Sequence, residues 1–189
     1  MEVEKILEQT GALLKGHFLL TSGRHSDTYI QCARILQHPK YAGQLAQVVA
    51  EDFKDENIDI VIGPAMGGMI FAYEVARQLD VINMFTERDN GVMTLRRGFE
   101  IPKGAKVLVA EDVITTGGSV HEVIDIVNDL GGVVVGICVL VDRSGGNVEF
   151  PAKLKAAYTA SVQSYEKNEC PICKEGKLPA IKPGSRIIG

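Results

Sequence analysis

The sequence lacks several features that would point to particular classes of protein. It has no Trp, 6% aromatic residues and four Cys among its 189 residues. No apolar run approaches the roughly 20 residues that a membrane-spanning helix needs. The amino terminus has no basic stretch followed by an apolar run, which is the mark of a secretion signal. A membrane role is therefore not expected, and the sequence predicts a cytoplasmic protein.

The charge balance also argues against polyanionic partners. The formal net charge is -4, and the sequence pI is about 5.6. Without a basic face the chain has no electrostatic footprint for nucleic acid or for anionic lipid. Small molecules are therefore the expected partners. The length fits one domain with one sizeable core.

Apolar residues follow a helical spacing at the amino terminus and again after Pro39. The first set runs from Val3 through Leu13 and Leu14 and predicts one short amphipathic helix. Pro39 opens a second apolar stripe, as proline does at the first position of a helix. Between them, two extended pieces flank the turn-rich residues 22–26, which predicts a hairpin or small flap.

From Ile58 onward, short apolar runs alternate with helical segments. Runs that are apolar on both faces and joined by helices are typical of a parallel sheet, because right-handed crossovers place helices on both sides of it. The fold class is therefore α/β, with a doubly wound, mostly parallel sheet. The polar segment 86–104 is too long for a tight connection, and we expect it to form a mobile arm or lid.

The stretch VLVAEDVITTGGSV, residues 107–120, is the most informative part of the chain. It places Glu111 and Asp112 at the carboxyl end of a buried strand, where open α/β sheets bind ligands. The following Thr-Thr-Gly-Gly-Ser turn offers backbone amides, hydroxyls and a helix amino terminus to a phosphate. The acids suit vicinal hydroxyls or hydrated Mg²⁺. The alternative is a plain helix cap, which does not require adjacent acids.

This stretch resembles the donor-binding motif of the type I phosphoribosyltransferase family, whose fold adds a small hood and a mobile β-arm to the sheet. The chain has no GxxxxGK[ST] and no GxGxxG after a strand. The residues that the resemblance implies for the phosphoribosyl group are Glu111, Asp112, Val113, Ile114, Thr115, Thr116, Gly117, Gly118 and Ser119. Those implied for the diphosphate, through backbone amides, are Ala65, Met66, Gly67 and Gly68. If the 107–120 motif were absent, a plain strand-to-helix connection would be the better interpretation of the turn at 63–68.

The segment FLLTSGRHSDTYIQCARI, residues 18–35, resembles the hood of family members that act on orotate. Arg143 follows an apolar strand, and its planar fork of donors matches a carboxylate such as that of orotate. The resemblance implies that Arg143 and Thr115 contact orotate, with main-chain groups near Tyr29 and Ile30 at the ring edge. A solvated surface arginine is the alternative for Arg143.

The resemblance implies transfer of ribose 5-phosphate from 5-phosphoribosyl 1-diphosphate to orotate, with Mg²⁺ as cofactor and a homodimer as the working unit. Glu111 and Asp112 are the implied catalytic acids. Arg88 and Arg97, in the 86–101 arm, are the implied catalytic arginines over the diphosphate. A phosphoribosyltransferase for a purine or uracil, or a non-catalytic sensor of the donor, are the alternatives, and the hood turn and Arg143 favour an acidic pyrimidine.

The chain departs from the family pattern at particular positions. Many members carry a lysine where this chain has Thr21 in the hood turn, and another where it has Met66 and Gly67. The arm lacks the usual His and Lys before Lys103, so which arm residue acts on the diphosphate stays open. The expected division is a hood from residues 1–37, a core from 38–145 and a tail from 146–189.

Cys170 and Cys173 form a CxxC pair in this tail, which is half of a tetrahedral zinc site. Four ligands are needed, and the nearest histidine in sequence is His121. Two subunits or other ligands would have to complete the site; the alternative is a thiol-bearing turn. The remaining Cys32 and Cys138 lie in apolar stretches, so no disulfide framework is expected in a cytosolic protein.

Overall fold

The computed structural model describes residues 3–20, 22–160 and 163–183, so Thr21 lies outside the described residues. The helices are α1 (Val3–Gln9), α2 (Ala33–Leu36), α3 (Pro39–Ala50), α4 (Gly67–Leu79), α5 (Gly118–Asp129) and α6 (Pro171–Glu175). The strands are β1 (Leu13–Leu19), β2 (His25–Ile30), β3 (Ile60–Pro64), β4 (Ile82–Asp89), β5 (Val92–Leu95), β6 (Lys106–Ile114), β7 (Val133–Asp142) and β8 (Leu154–Thr159). No helix in these ranges combines the length and apolar character that crossing a membrane requires.

The central sheet has the strand order β5-β4-β3-β6-β7-β8. Neighbouring strands from β4 to β8 run parallel, and β5 pairs antiparallel with β4 at one edge. Helices cover both faces, because each parallel connection crosses over the sheet. The predicted α/β class and the mostly parallel sheet are confirmed.

Two apolar clusters lie on opposite faces of this sheet. One contains Phe53 and Phe71, where α3 and α4 pack on the strands. The other contains Val123 and Val127, which extend from α5 toward Ile137 on β7. Each fully buried side chain of this size contributes about 1.5–3 kcal/mol relative to exposure. The two layers therefore fix the strand ends that carry the polar loops.

Two elements differ from the sequence interpretation. Leu13 and Leu14 belong to β1 and not to the first helix, because Gly11 at φ +61° ends the helical path after α1. The second is β8, which pairs parallel with β7 through Leu154 opposite Ile137. The core sheet therefore continues past residue 145, where the tail was expected to begin.

The predicted hairpin is present as the two-stranded antiparallel sheet β1–β2, which we call the hood. The described part of the tail beyond β8, residues 163–183, returns to the hood through bridges of Tyr165 with His25 and of Ile181 with Phe18. The predicted arm contains the hairpin β4–β5, whose two-residue turn has positive φ at Asn90 and Gly91.

Candidate active site

The carboxyl ends of β3, β6 and β7 meet at one edge of the sheet because these strands are parallel. The chain leaves β3 for β4 on one side and later enters β6 on the other, so the strand order reverses between β3 and β6. In open α/β sheets the ligand crevice lies at such a switch point. The two glycine turns, 63–68 and 115–119, flank this one crevice.

Glu111 and Asp112 lie on β6 at the floor of the crevice. Glu111 is 7% exposed, and its Oε1 accepts a hydrogen bond from the Asp112 amide at 3.0 Å. Burial, and then the adjacent Asp112 carboxylate, raises the pKa of Glu111 well above its usual value. Burial also raises the pKa of Asp112. Among the ion pairs of the described residues none includes either acid. The pair suits a ligand that brings a cation or hydroxyl donors.

The turn after β6 has the shape of an anion cradle. Gly117 adopts φ +76° as the N-cap residue of α5, and a Cβ there would lie 2.9 Å from both Val148 and Phe150. Thr115 and Thr116 are exposed. The N-cap residue of α5 is Gly117, which has no side chain to bond the first amides of the helix. The first amides of α5 and these hydroxyls can therefore serve a phosphate.

The second glycine turn packs directly against the acids. A Cβ on Gly67 would lie 2.3 Å from Asp112 Oδ2, and one on Gly68 would lie 2.6 Å from Glu111 Oε1. At Gly63 an added Cβ would meet the Gly68 carbonyl oxygen at 2.4 Å. Only glycine lets the 63–68 turn lie this close to the two acids. The close contact places the amino terminus of α4 in the same crevice as the amino terminus of α5.

One amide of the second turn is already used. The Ala65 amide donates to the Thr86 carbonyl oxygen at 2.7 Å, so it would have to leave this bond before it could contact a diphosphate. Met66 is 77% exposed and precedes α4, whose first amides have no partner within the helix. The donors left for an anion are therefore those of Met66, Gly67 and Gly68.

Arg143 follows β7 at the same edge and contacts the hood. Its guanidinium carbon lies 4.7 Å from the centre of the Tyr29 ring, and its amide donates to the Ile114 carbonyl oxygen at 2.9 Å. The Ile30 side chain is buried in the core, which leaves only main-chain groups of that residue for a ligand. Because the hood has two strands, alternate residues of β2 direct those groups to its open edge.

Asp142 is a positioning residue that the sequence interpretation missed. It is buried, and its Oδ1 accepts hydrogen bonds from the Ser144 amide at 2.7 Å and hydroxyl at 2.6 Å. Its Oδ2 accepts from the Gly146 amide at 3.0 Å. These bonds fix the loop that begins at Arg143. The sequence did contain a signal for this role: Asp142 comes directly before Arg143, and the Ser-Gly-Gly that follows is typical of a turn whose amides bond to a nearby acid.

The arm arginines are held in ion pairs within this chain. Arg88 Nη2 lies 2.5 Å from Glu122 Oε2 on α5. Arg97 Nη2 lies 2.9 Å from Glu87 Oε2, and its guanidinium carbon is 5.6 Å from the centre of the Phe85 ring. Each guanidinium must therefore leave or share an acidic partner before it contacts a diphosphate.

Two other features lie away from the crevice. A cavity of about 510 Å³ lies at the opposite edge of the sheet, lined by Asp59, Ile82 and Lys103 among others. It lacks the paired glycine turns and the carboxyl strand ends that characterise a ligand crevice in this class of fold. Cys170 and Cys173 lie at the junction of tail and hood.

Several known proteins are similar to this chain in sequence and in fold. The family model described as a phosphoribosyl transferase domain matches residues 31–159, so the chain has the domain of a phosphoribosyltransferase. The orotate phosphoribosyltransferases of Thermoanaerobacter sp. (strain X514) and Caldanaerobacter subterraneus subsp. tengcongensis are 57% and 56% identical, covering 98% and 100% of this chain and 99% and 100% of theirs. The chain belongs to the orotate phosphoribosyltransferase family.

A solved structure supports the expected type I fold. The crystal structure of orotate phosphoribosyltransferase from Aeropyrum pernix has a TM-score of 0.70 and 29% sequence identity to this chain. The similarity covers 83% of this chain and 93% of that one. The predicted fold is confirmed.

Proposed function

We propose that this chain transfers the ribose 5-phosphate group of 5-phosphoribosyl 1-diphosphate to orotate, giving orotidine 5′-phosphate and diphosphate. Two glycine turns that meet over a buried acid pair carry the proposal. One turn suits the 5-phosphate, the other suits the diphosphate, and the acids between them suit the ribose hydroxyls. The choice of orotate as the base rests on the relatives, which are orotate phosphoribosyltransferases.

The donor would lie across the crevice with its charged groups at the two helix amino termini. The amides and hydroxyls of 115–119 bind the 5-phosphate, and the amides of Met66, Gly67 and Gly68 bind the diphosphate. Glu111 and Asp112 accept hydrogen bonds from the ribose hydroxyls. These contacts hold the anomeric carbon in place while positive charge develops on the ribose ring. No covalent nucleophile is required.

A divalent cation fits the acid pair. Both carboxylates are disfavoured as anions by burial, and the diphosphate turn lies against them at Gly67 and Gly68. We therefore propose that hydrated Mg²⁺ lies beside this turn, with Glu111 and Asp112 holding it through its water molecules; no direct side-chain ligation of Mg²⁺ is expected. When bound, Mg²⁺ would neutralise charge on the diphosphate oxygens.

The base would lie between the crevice and the hood. Arg143 stacks on Tyr29 and keeps its fork of donors for a carboxylate, with Asp142 fixing the loop behind it. Thr115 lies at the end of β6, next to the Ile114 carbonyl oxygen that accepts from the Arg143 amide. This pairing of loops supports contacts of Arg143 and Thr115 with the same orotate molecule.

We propose a homodimer in which the 86–101 arm reaches the diphosphate of the neighbouring subunit. The arm lies at the sheet edge beyond β3 and β4, and Arg88 and Arg97 are both partly exposed there. Release of either guanidinium from its acidic partner would supply the positive charge that the departing diphosphate requires.

Loss of orotate absorbance tests the function directly. Purified protein is mixed with orotate, 5-phosphoribosyl 1-diphosphate and Mg²⁺, and we expect absorbance to fall as diphosphate accumulates. Adenine, xanthine and uracil in place of orotate test the other bases. Turnover of one of these without loss of orotate would assign a different base, and no turnover of any base would leave a donor-binding protein without transferase activity.

A further inference from the structure

Four side chains from distant parts of the sequence meet where the tail covers the hood. They are His17 on β1, His25 on β2, Cys170 immediately before α6, and Cys173 within α6. One ligand atom from each lies within 4.8 Å of the other three. Two imidazoles and two thiols in this arrangement are the donor set of a structural zinc site.

The distances between the sulfur and nitrogen atoms fit tetrahedral coordination of one zinc ion. Bond lengths for zinc imply edges of about 3.6 Å between sulfur and nitrogen and about 3.3 Å between two nitrogens. Cys170 Sγ lies 3.6 Å from His17 Nε2, and Cys173 Sγ lies 3.5 Å from the same nitrogen and 3.4 Å from His25 Nδ1. The two nitrogens lie 2.7 Å apart, so they must separate by about 0.6 Å to admit the ion.

A second contact orients one ligand. His17 Nδ1 lies 2.8 Å from the Leu178 carbonyl oxygen, which can only accept a hydrogen bond. The proton of the neutral ring is therefore on Nδ1, which leaves the lone pair of Nε2 available to a metal ion at a nitrogen that lies within 3.6 Å of both sulfurs. Metal-binding histidines commonly use a backbone carbonyl in this way to fix their tautomer.

The four side chains lie in a largely buried junction. His17, His25 and Cys170 are 4%, 5% and 0% exposed, so water has little access to an ion that they would hold. The five residues of α6 are all at least partly exposed. Backbone contacts such as the Ile181 amide with the His17 carbonyl oxygen hold the tail to the hood, and a bound metal would close the same junction.

We propose that His17, His25, Cys170 and Cys173 bind one zinc ion that fastens the tail to the hood. Four protein ligands leave no open position, so the ion is structural and takes no part in chemistry. The site lies within one chain and is independent of the proposed transferase reaction.

Metal analysis of the intact protein tests this site. Protein produced with zinc in the medium should contain one zinc ion per chain. Protein stripped by a chelator and given Co²⁺ should show the visible bands of tetrahedral cobalt and a thiolate-to-cobalt absorption. Cys173→Ala should lose the zinc and the thiolate absorption, whereas Cys138→Ala, which removes a thiol on β7, should keep both.

The wild-type result decides the proposal even if a variant fails to fold. Zinc near one equivalent, together with the cobalt–thiolate absorption, supports it. Wild-type protein that takes up neither zinc nor cobalt through thiolate would overturn it, as would a disulfide between Cys170 and Cys173 that persists in zinc-containing buffer. Retention of zinc by a folded Cys173→Ala protein would remove that residue from the ligand set.

Discussion

The crevice and the hood–tail junction are stabilised in different ways. The crevice draws on two short segments, 63–68 and 111–119, each held by strands whose side chains are buried on both faces. The junction draws on segments about 150 residues apart in sequence and includes a short helix without a buried residue. Apolar packing can position a charged site in the first region, whereas the second depends on its polar contacts and ligands.

The same difference appears in how each region carries buried polar groups. Burial and the Asp112 carboxylate raise the pKa of Glu111, and burial raises the pKa of Asp112; the packed core tolerates the cost of ionising both because a ligand can use it. In the junction, by contrast, none of the residues of α6 itself is buried. Variants in the crevice should therefore impair activity while sparing the fold, and changes at the junction should alter stability.

The largest effect on activity is expected for Asp112→Asn. The amide keeps the size of the side chain and removes the charge that faces the donor. We expect the turnover rate to fall on the order of 100-fold or more, with no loss of thermal stability. The control is Asp125→Asn, an exposed acid on α5. An unchanged rate for Asp112→Asn would exclude this carboxylate from the reaction.

Gly67→Ala tests the contact between the two turns. Its Cβ would lie 2.3 Å from Asp112 Oδ2, so the turn must move and the affinity for diphosphate should fall strongly. Gly118→Ala is the matched control, because Gly118 also opens a helix and its Cβ would have 3.9 Å to Thr116 Oγ1. Equal diphosphate affinity in the two variants, measured calorimetrically, would show that the crowding at Gly67 is relieved without consequence.

Arg143→Lys tests the fork of donors at the base. The lysine keeps the charge but cannot form two parallel hydrogen bonds. A loss of about 2 kcal/mol, or roughly 30-fold in the KM for orotate, is expected with little change in the KM for the donor. Arg34→Lys, at an exposed arginine, is the control. Equal rises in both KM values would argue for a general loss of structure.

The positions of the two glycine turns could be predicted from the sequence because each turn is local. A strand, two acids, hydroxyls and glycines stand within a few residues of one another, and the parallel sheet aligns the two turns. Contacts between distant segments were not available in this way. His17 and His25 were missed as partners of Cys170 because only the hood–tail contact brings them together.

Local ambiguity explains the errors in the fold. Leu13 and Leu14 continue a helical spacing, and only the positive φ of Gly11 redirects them into a strand. β8 was missed because its residues are mostly half-buried, as expected for an edge strand, and show no strong apolar run. The use of the Ala65 amide by Thr86 depends on strand register, which the sequence does not reveal.

Glu111→Gln should increase stability as it removes activity. Burial raises the folded-state pKa of Glu111, so its stabilising contribution is complete below the unfolded pKa of about 4.3 and is lost as pH rises through the folded value. The glutamine avoids that loss. We expect a gain of about 1 kcal/mol or more at pH 8 that shrinks toward pH 5, measured by denaturant unfolding. Glu8→Gln, at an exposed acid, should show no such trend; a gain independent of pH would contradict the explanation.

The smallest effect is expected for Glu122→Gln, which weakens the ion pair of Arg88 at the edge of the arm. An exposed pair of this kind is worth at most about 1 kcal/mol. If Arg88 must leave Glu122 to bind diphosphate, the variant should lower the KM for the donor by up to about fivefold at low salt and by less at high salt. Glu74→Gln, which weakens the similar pair with Arg77 on α4, should leave this KM unchanged. An unchanged KM in Glu122→Gln at both salt concentrations would instead assign the diphosphate contact to Arg97 or another arm residue.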